Sequence, residues 1–143
     1  MKTAYIVKAY RTAVGKAPKG VFRFKRPDEL AAETIQYMMN ELPDFDKTRI
    51  DDVMVGNAMP EAEQGLNVAR LISLMGLKIE DVPGVTVNRY CASGIETIGM
   101  ATAKIQSGMA HCIIAGGAES MSFIPMGGYK PTPDYAVAKA GNE

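Results

Sequence analysis

The segment Val85-Thr86-Val87-Asn88-Arg89-Tyr90-Cys91-Ala92-Ser93-Gly94-Ile95 places a thiol where a β-rich run gives way to a helical pattern. In an open α/β sheet, ligands bind at the C-terminal ends of strands. A helix start offers unpaired N–H groups and a partial positive charge. Both features suit an anionic sulfur. A free cysteine, with a pKa of about 8.5, is only a few per cent thiolate at neutral pH, and the thiolate is what attacks a thioester carbonyl. Ala92, Ser93 and Gly94 are small, so a substrate could approach the first turn, where backbone N–H groups could bind a developing oxyanion. A lone cysteine is also often just a small buried hydrophobe. Residue type and placement leave nucleophile and core residue about level.

The elements that must hold this turn follow from patterning. Ala4 to Lys8 reads as a first strand, followed by loop through Pro18, Gly20 and Pro27. Asp28 is placed to cap a helix carrying Leu30, Ala31, Ile35, Met38, Met39 and Leu42 as one apolar stripe, stopped by Pro43. Val53, Met54 and Val55 form a strand within 51–56. A helix is expected over 65–75, with Gly76 ending it. Val85 to Val87 is a third strand, and Cys91 to Gln106 a third helix closed by Gly108. Cys112 to Ala115 is a fourth strand, ended by Gly116-Gly117. Its apolar residues do not alternate, as expected of a strand covered on both faces. The order β-α-β-α-β-α-β predicts crossover helices and a mostly parallel sheet. From 123 to 143 the pattern lapses into loop, and no internal repeat is visible.

Composition narrows the function classes. The chain has 143 residues, 47% of them hydrophobic and 22% charged, with zero formal net charge. That is an ordinary globular balance, with nothing to suggest a nucleic-acid surface. The basic residues between Lys16 and Arg26 read as a solvated loop, with contact to an anion such as a phosphate as the alternative. Two cysteines make no disulfide scaffold, so a reducing, cytoplasmic setting is expected. No secretory signal and no run of about 18 apolar residues is present.

Asn88-Arg89-Tyr90-Cys91-Ala92-Ser93-Gly94 resembles the nucleophile motif of thiolases, Asn-Arg-x-Cys-Ser/Ala-Ser-Gly. Gly116-Gly117-Ala118-Glu119-Ser120-Met121-Ser122 is similar to a second motif of that family, Gly65-Leu66-Asn67-Val68-Ala69-Arg70 to a third, and Arg11-Thr12-Ala13-Val14-Gly15 to a fourth. The resemblance implies a layered thiolase-like fold with helices on both faces of the sheet. Residues 1–122 would be an incomplete N-terminal α/β half, and 123–143 the start of an inserted loop region. It implies that Cys91 is the acyl-thioester nucleophile of an acetyl-CoA C-acyltransferase. Such an enzyme cleaves 3-ketoacyl-CoA with coenzyme A in fatty-acid β-oxidation, or runs the reverse condensation of acetyl-CoA. Acyl-CoA and coenzyme A are then substrates, with no cofactor and no metal, and the assembly is a homodimer or homotetramer. The Arg-x-Cys-Ala-Ser-Gly form and the stretch Met121 to Met126 look more like the degradative members.

The resemblance also implies what these residues lack. The family's activating histidine (Gly-His-Pro), its second cysteine (Cys-x-Gly) and its Asn-Glu motif belong to the second half. His111 has no Gly-His-Pro context and reads as structural. Cys112 reads as a core residue, Glu119 and Ser120 as ties for the loop after the strand, and Asn67 and Arg70 as supports. The isolated segment is therefore expected to be inactive. Two alternatives stand beside this reading: a non-catalytic half acting by binding or dimerisation, and a condensing enzyme of the ketoacyl synthase kind. The preceding Asn88-Arg89 argues against the second.

Overall fold

Three β-rich runs pair into one parallel sheet: β1 (Asp52–Gly56), β2 (Gly84–Val87) and β3 (Ile113–Gly117), in the order β2-β1-β3. The computed structural model describes residues 2–130, 132 and 134–141. Helix α1 (Pro27–Asn40) precedes the sheet, α2 (Val68–Leu77) connects β1 to β2, and α3 (Ser93–Ser107) connects β2 to β3. Short 3-10 turns lie at Lys47–Arg49 and Ala62–Gln64.

The central strand is buried along its whole length, as a strand covered on both faces must be. Alternation sorts its side chains between the layers. Val53 and Val55 join Ile35, Met39, Ile72 and Leu77 in the core with α1 and α2. Asp52 and Gly56 meet α3 on the other face, Asp52 through an ion pair with Lys104 at 2.8 Å. The expected α/β class, parallel sheet and flanking helices are all present.

Ala4 to Lys8 is not a strand. Residues 2–16 lie outside every helix and strand, with Tyr5, Ile6 and Val7 each about 80% exposed. Strand propensity has no effect without a ladder partner about 4.8 Å away. The outer edge of β3 is unpaired among the described strands. It and the N-terminal segment instead line an apolar groove of about 1150 Å³, with Ile98 and Ile105 of α3 along it.

Several helix boundaries also differ from expectation. Pro27, not Asp28, starts α1, because a proline at the first position loses only an N–H that had no helical partner. Asp28 sits in the first turn, buried, and takes a bidentate contact from Arg26 at 2.7 and 3.1 Å. Helix α2 begins at Val68 and runs through Gly76, ending at Lys78 in the left-handed conformation, φ +62°. Gly76 serves close approach: a Cβ there would lie 3.0 Å from Ile35 Cβ of α1. Gly116 and Gly117 belong to β3, which starts just after Cys112. Within the expected terminal loop, Tyr135–Ala140 forms a short helix, α4, capped by the Asp134 carboxylate.

Candidate active site

Cys91 is exposed, at the turn between β2 and α3. It does not begin the helix: Ala92 is the N-cap and Ser93 the first helical residue. The turn is held from several sides. Asn88 Oδ1 accepts from Tyr90 N–H at 2.8 Å, Ser93 Oγ accepts from Arg89 N–H at 2.8 Å, and Ser93 Oγ donates to the Tyr90 carbonyl at 2.6 Å. These contacts keep Tyr90 at φ +48°, a conformation a tyrosine rarely adopts, immediately before the cysteine. The amides of Ala92 and Ser93 are engaged by the Arg89 and Tyr90 carbonyls. Those of Gly94 and Ile95 find no acceptor among the described residues, so the free donors of this helix start lie three and four residues past the sulfur. Arg89 pairs with Glu96 at 2.6 Å, so its charge is compensated.

The first turn of α3 sits directly on the end of β1. A Cβ at Gly56 would stand 2.4 Å from the Ser93 carbonyl carbon and 2.7 Å from Gly94 N, so only glycine lets strand and helix approach this closely.

Loops leaving the three strands are tied together beside the turn. Asn57, which follows β1, donates through Nδ2 to the Ala118 carbonyl at 2.8 Å and to Glu119 at 3.3 Å. Glu119 also accepts from Ala58 N–H at 2.6 Å and from Gln64 Nε2 at 2.7 Å. Gln64 is fully buried, donates also to the Met59 carbonyl and accepts from Ser120 N–H. Asn88 Nδ2 reaches the Ala58 carbonyl at 3.1 Å. The C-terminal ends of all three strands thus form one hydrogen-bonded platform with Cys91 on its rim. Glu119 and Ser120 tie down the loop, as expected. Asn57 and Gln64 escape a reading by motif, since neither lies in a periodic stretch. Asn57, a polar residue directly after the buried run Val53 to Gly56, was the available signal.

The remaining candidates have structural settings. Asn67 bonds the Gly84 carbonyl and Thr86 Oγ1, and Arg70 reaches the carbonyls of Val82 and Glu80, so both fasten α2 to the segment around β2. Cys112 is half-buried against the core, and burial together with the nearby Asp51 pushes its thiol pKa up. His111 is exposed, and the backbone N–H groups of His111 and Cys112 donate to the Asp51 carboxylate, which holds that group below the usual carboxylate range. Of the basic loop, Lys25 pairs with Glu29 and Glu33, and Arg26 with Asp28. No group of His, Cys, Asp and Glu among the described residues could hold a metal. No helix among them is long and apolar enough to cross a membrane.

Comparison with known proteins gives a consistent family. Residues 4–140 match the family model for the thiolase N-terminal domain. The chain is 46% identical over its whole length to a 3-ketoacyl-CoA thiolase of Bacillus subtilis, of which it covers 36%. It is 44% identical over 126 residues to a beta-ketoadipyl-CoA thiolase of Acinetobacter baylyi, spanning 87% of this chain and 31% of that one. The crystal structure of the Bacillus anthracis acetyl-CoA acetyltransferase superposes on 72% of the chain with a TM-score of 0.65 and 30% identity, covering 26% of that protein. The chain spans about a third of the length of the curated relatives it matches. On the extent of the domain match and the agreement of sequence with fold, this chain belongs to the thiolase family and lies in its N-terminal domain.

Proposed function

We propose that the complete protein is a 3-ketoacyl-CoA thiolase of the degradative kind, acting in fatty-acid β-oxidation, and that Cys91 carries its acyl group. In the proposed reaction the Cys91 thiolate attacks the 3-keto carbon of a 3-ketoacyl-CoA, and the bond between carbons 2 and 3 breaks. Acetyl-CoA leaves as its enolate and takes a proton, and the shortened acyl chain remains on sulfur. The thiol of coenzyme A then attacks the acyl-cysteine, restores the thiolate and leaves as acyl-CoA. Run backwards, the same steps condense acetyl-CoA with an acyl group.

The observation that carries this reading is the exposed sulfur of Cys91 at the strand ends of a parallel sheet, behind a backbone held at positive φ. The names of the relatives in the comparison support the acyl-CoA substrate class. Acid and base are assigned to parts of the protein beyond these residues, since general acid–base steps typically supply 10²–10⁴-fold and His111 stands just before β3, at the opposite end of the sheet from Cys91. Residues 1–143 alone are accordingly proposed to be inactive. Exposed Ile95 and Ile98 on α3, together with the apolar groove, support an assembled dimer or tetramer in which such surfaces are covered. The free thiols fit a reducing, cytoplasmic setting.

Incubating the full-length protein with acetyl-CoA and digesting it should give an acetyl mass on the peptide that contains Cys91, lost in Cys91→Ala. An adduct on any other residue would overturn the mechanism.

A further inference from the structure

We propose that Glu119 is a positioning residue for Cys91, acting through Ala58 and Asn88; the inference rests on Cys91 being the nucleophile. The connection is short and continuous. Glu119 Oε2 accepts from the Ala58 N–H at 2.6 Å, and the Ala58 carbonyl accepts from Asn88 Nδ2 at 3.1 Å. Asn88 Oδ1 in turn accepts from the Tyr90 N–H at 2.8 Å, one residue before the sulfur. Ala58 has both of its backbone polar groups engaged, so its peptides have a fixed orientation and link the loop after β3 to the turn after β2.

Glu119 is itself fixed at its other oxygen. Oε1 accepts from Gln64, which is fully buried with both ends of its amide bonded, and from Asn57, 1% exposed. A carboxylate receiving three N–H donors is a stronger anchor than a neutral acceptor would be. What it anchors is a backbone that would not choose its own conformation: Tyr90 at φ +48° persists only where its surroundings over-determine it. Ser93 grips the Tyr90 carbonyl from the helix side, while Asn88 grips its N–H from the platform side. Removing Glu119 leaves the Ser93 grip intact and frees the other. The cysteine then keeps its exposure but loses its aim, and a misplacement of about 1 Å at a reacting atom can cost about 10²-fold in rate.

A double-mutant cycle in the full-length protein tests this. Thiolysis of acetoacetyl-CoA is measured for Glu119→Ala, Asn88→Ala and the double variant, with unfolding midpoints recorded in parallel. Each single variant is expected to lower kcat by about 10- to 100-fold with KM changed by less than about threefold, and the double variant to be no slower than the worse single. Glu119→Gln, which keeps an acceptor for Ala58 but turns a donor toward Gln64 or Asn57, is expected to lose less than Glu119→Ala. Losses that multiply in the double variant, a kcat within twofold of wild type for Glu119→Ala, a Glu119→Gln loss as large as that of Glu119→Ala, or a loss confined to KM would overturn the proposal. Iodoacetamide trapping of Cys91 supplies a readout that needs no turnover: both single variants should change its rate by the same factor, and the double variant by no more. Unequal factors sink the relay and leave the nucleophile standing. An acyl adduct on another residue sinks the nucleophile, and with it the role in acyl transfer, whatever the trapping rates do.

Discussion

Replacing Gly56 by alanine should separate the seat of the cysteine from the cysteine itself. The added Cβ would fall 2.4 Å from the Ser93 carbonyl carbon, 2.6 Å from its oxygen and 2.7 Å from Gly94 N. Carbon atoms in good contact sit about 3.5–4.0 Å apart, so roughly 1 Å or more must be recovered by moving strand or helix. All three atoms are backbone, and no rotamer change relieves them. Overpacking of this kind typically costs about 1–3 kcal/mol, and rigid neighbours put Gly56→Ala at the upper end, about 3 kcal/mol. With a urea dependence of about 2 kcal/mol per molar, the unfolding midpoint of the unit containing these residues should fall by roughly 1–2 M. Gly94→Ala is the matched control: a Cβ at that position would have nothing within 4 Å, and an alanine in a helix is favoured over glycine by about 0.5–1 kcal/mol. It should leave the midpoint unchanged or raise it, yet reduce acyl transfer about tenfold or more if the first turn of α3 is where substrate approaches. A Gly56→Ala protein as stable as wild type, or a Gly94→Ala protein that loses stability, would refute the packing argument.

Further outcomes follow from the same contacts. Iodoacetamide at neutral pH should label exposed Cys91 at least about fivefold faster than Cys112, whose thiol burial and Asp51 push up in pKa; mass spectrometry of the two peptides decides it, and equal rates count against it. Hydrogen bonds from the His111 and Cys112 amides hold the Asp51 carboxyl below its usual range. A carboxyl depressed in the folded state contributes stability above its unfolded value of about 3.9, and that contribution is lost as pH falls through the lower folded value. Asp51→Asn should therefore be less stable than wild type at pH 7, by about 1 kcal/mol given its exposure, and should converge on wild type only as pH falls from about 3.9 through the lower folded value. Denaturant titrations at neutral pH and through that acid range test the sign. Tyr90→Gly should relieve about 1 kcal/mol of left-handed strain at little packing cost, since the side chain is 73% exposed, whereas Tyr90→Val, with a branched Cβ, should lower the unfolding midpoint.

Sequence reading recovers those parts of the fold that are governed locally. Of the 3.6-residue stripe, Ile35 and Met39 are buried on the inner side of α1 with Met38 half-buried beside them, and Val53 to Val55 becomes a strand closed on both faces. Elements that depend on a distant partner are not legible. Ala4 to Lys8 has the composition of a strand, yet pairing is a property of two segments, and the described residues give it no ladder. Gly76 has the right position for a helix stop, but its missing Cβ is explained by Ile35, 41 positions earlier. In the candidate site the motif found the cysteine and said nothing of how it is held. The Asn57, Gln64 and Glu119 contacts join residues 55 to 62 positions apart, and no local pattern reports such bonds.

The position of the cysteine also changes what can activate it. A sulfur on the first helical turn would take its activation from the helix amides, but Cys91 precedes the N-cap and the nearest helix-start amides serve the turn. Arg89, the adjacent cation, is neutralised by Glu96 at 2.6 Å. On the proposed reading, these residues therefore contribute aim rather than charge: a backbone locked at Tyr90, a helix pressed onto Gly56 and a platform stitched by Glu119. Proton removal and the stabilisation of charge must then come from groups packed against this platform from elsewhere. Residues 1–143, even correctly folded, should accordingly leave the acyl group of acetyl-CoA untouched, and adding a base from solution should restore little of the rate, because a dissolved base lacks the fixed geometry that makes an intramolecular one effective.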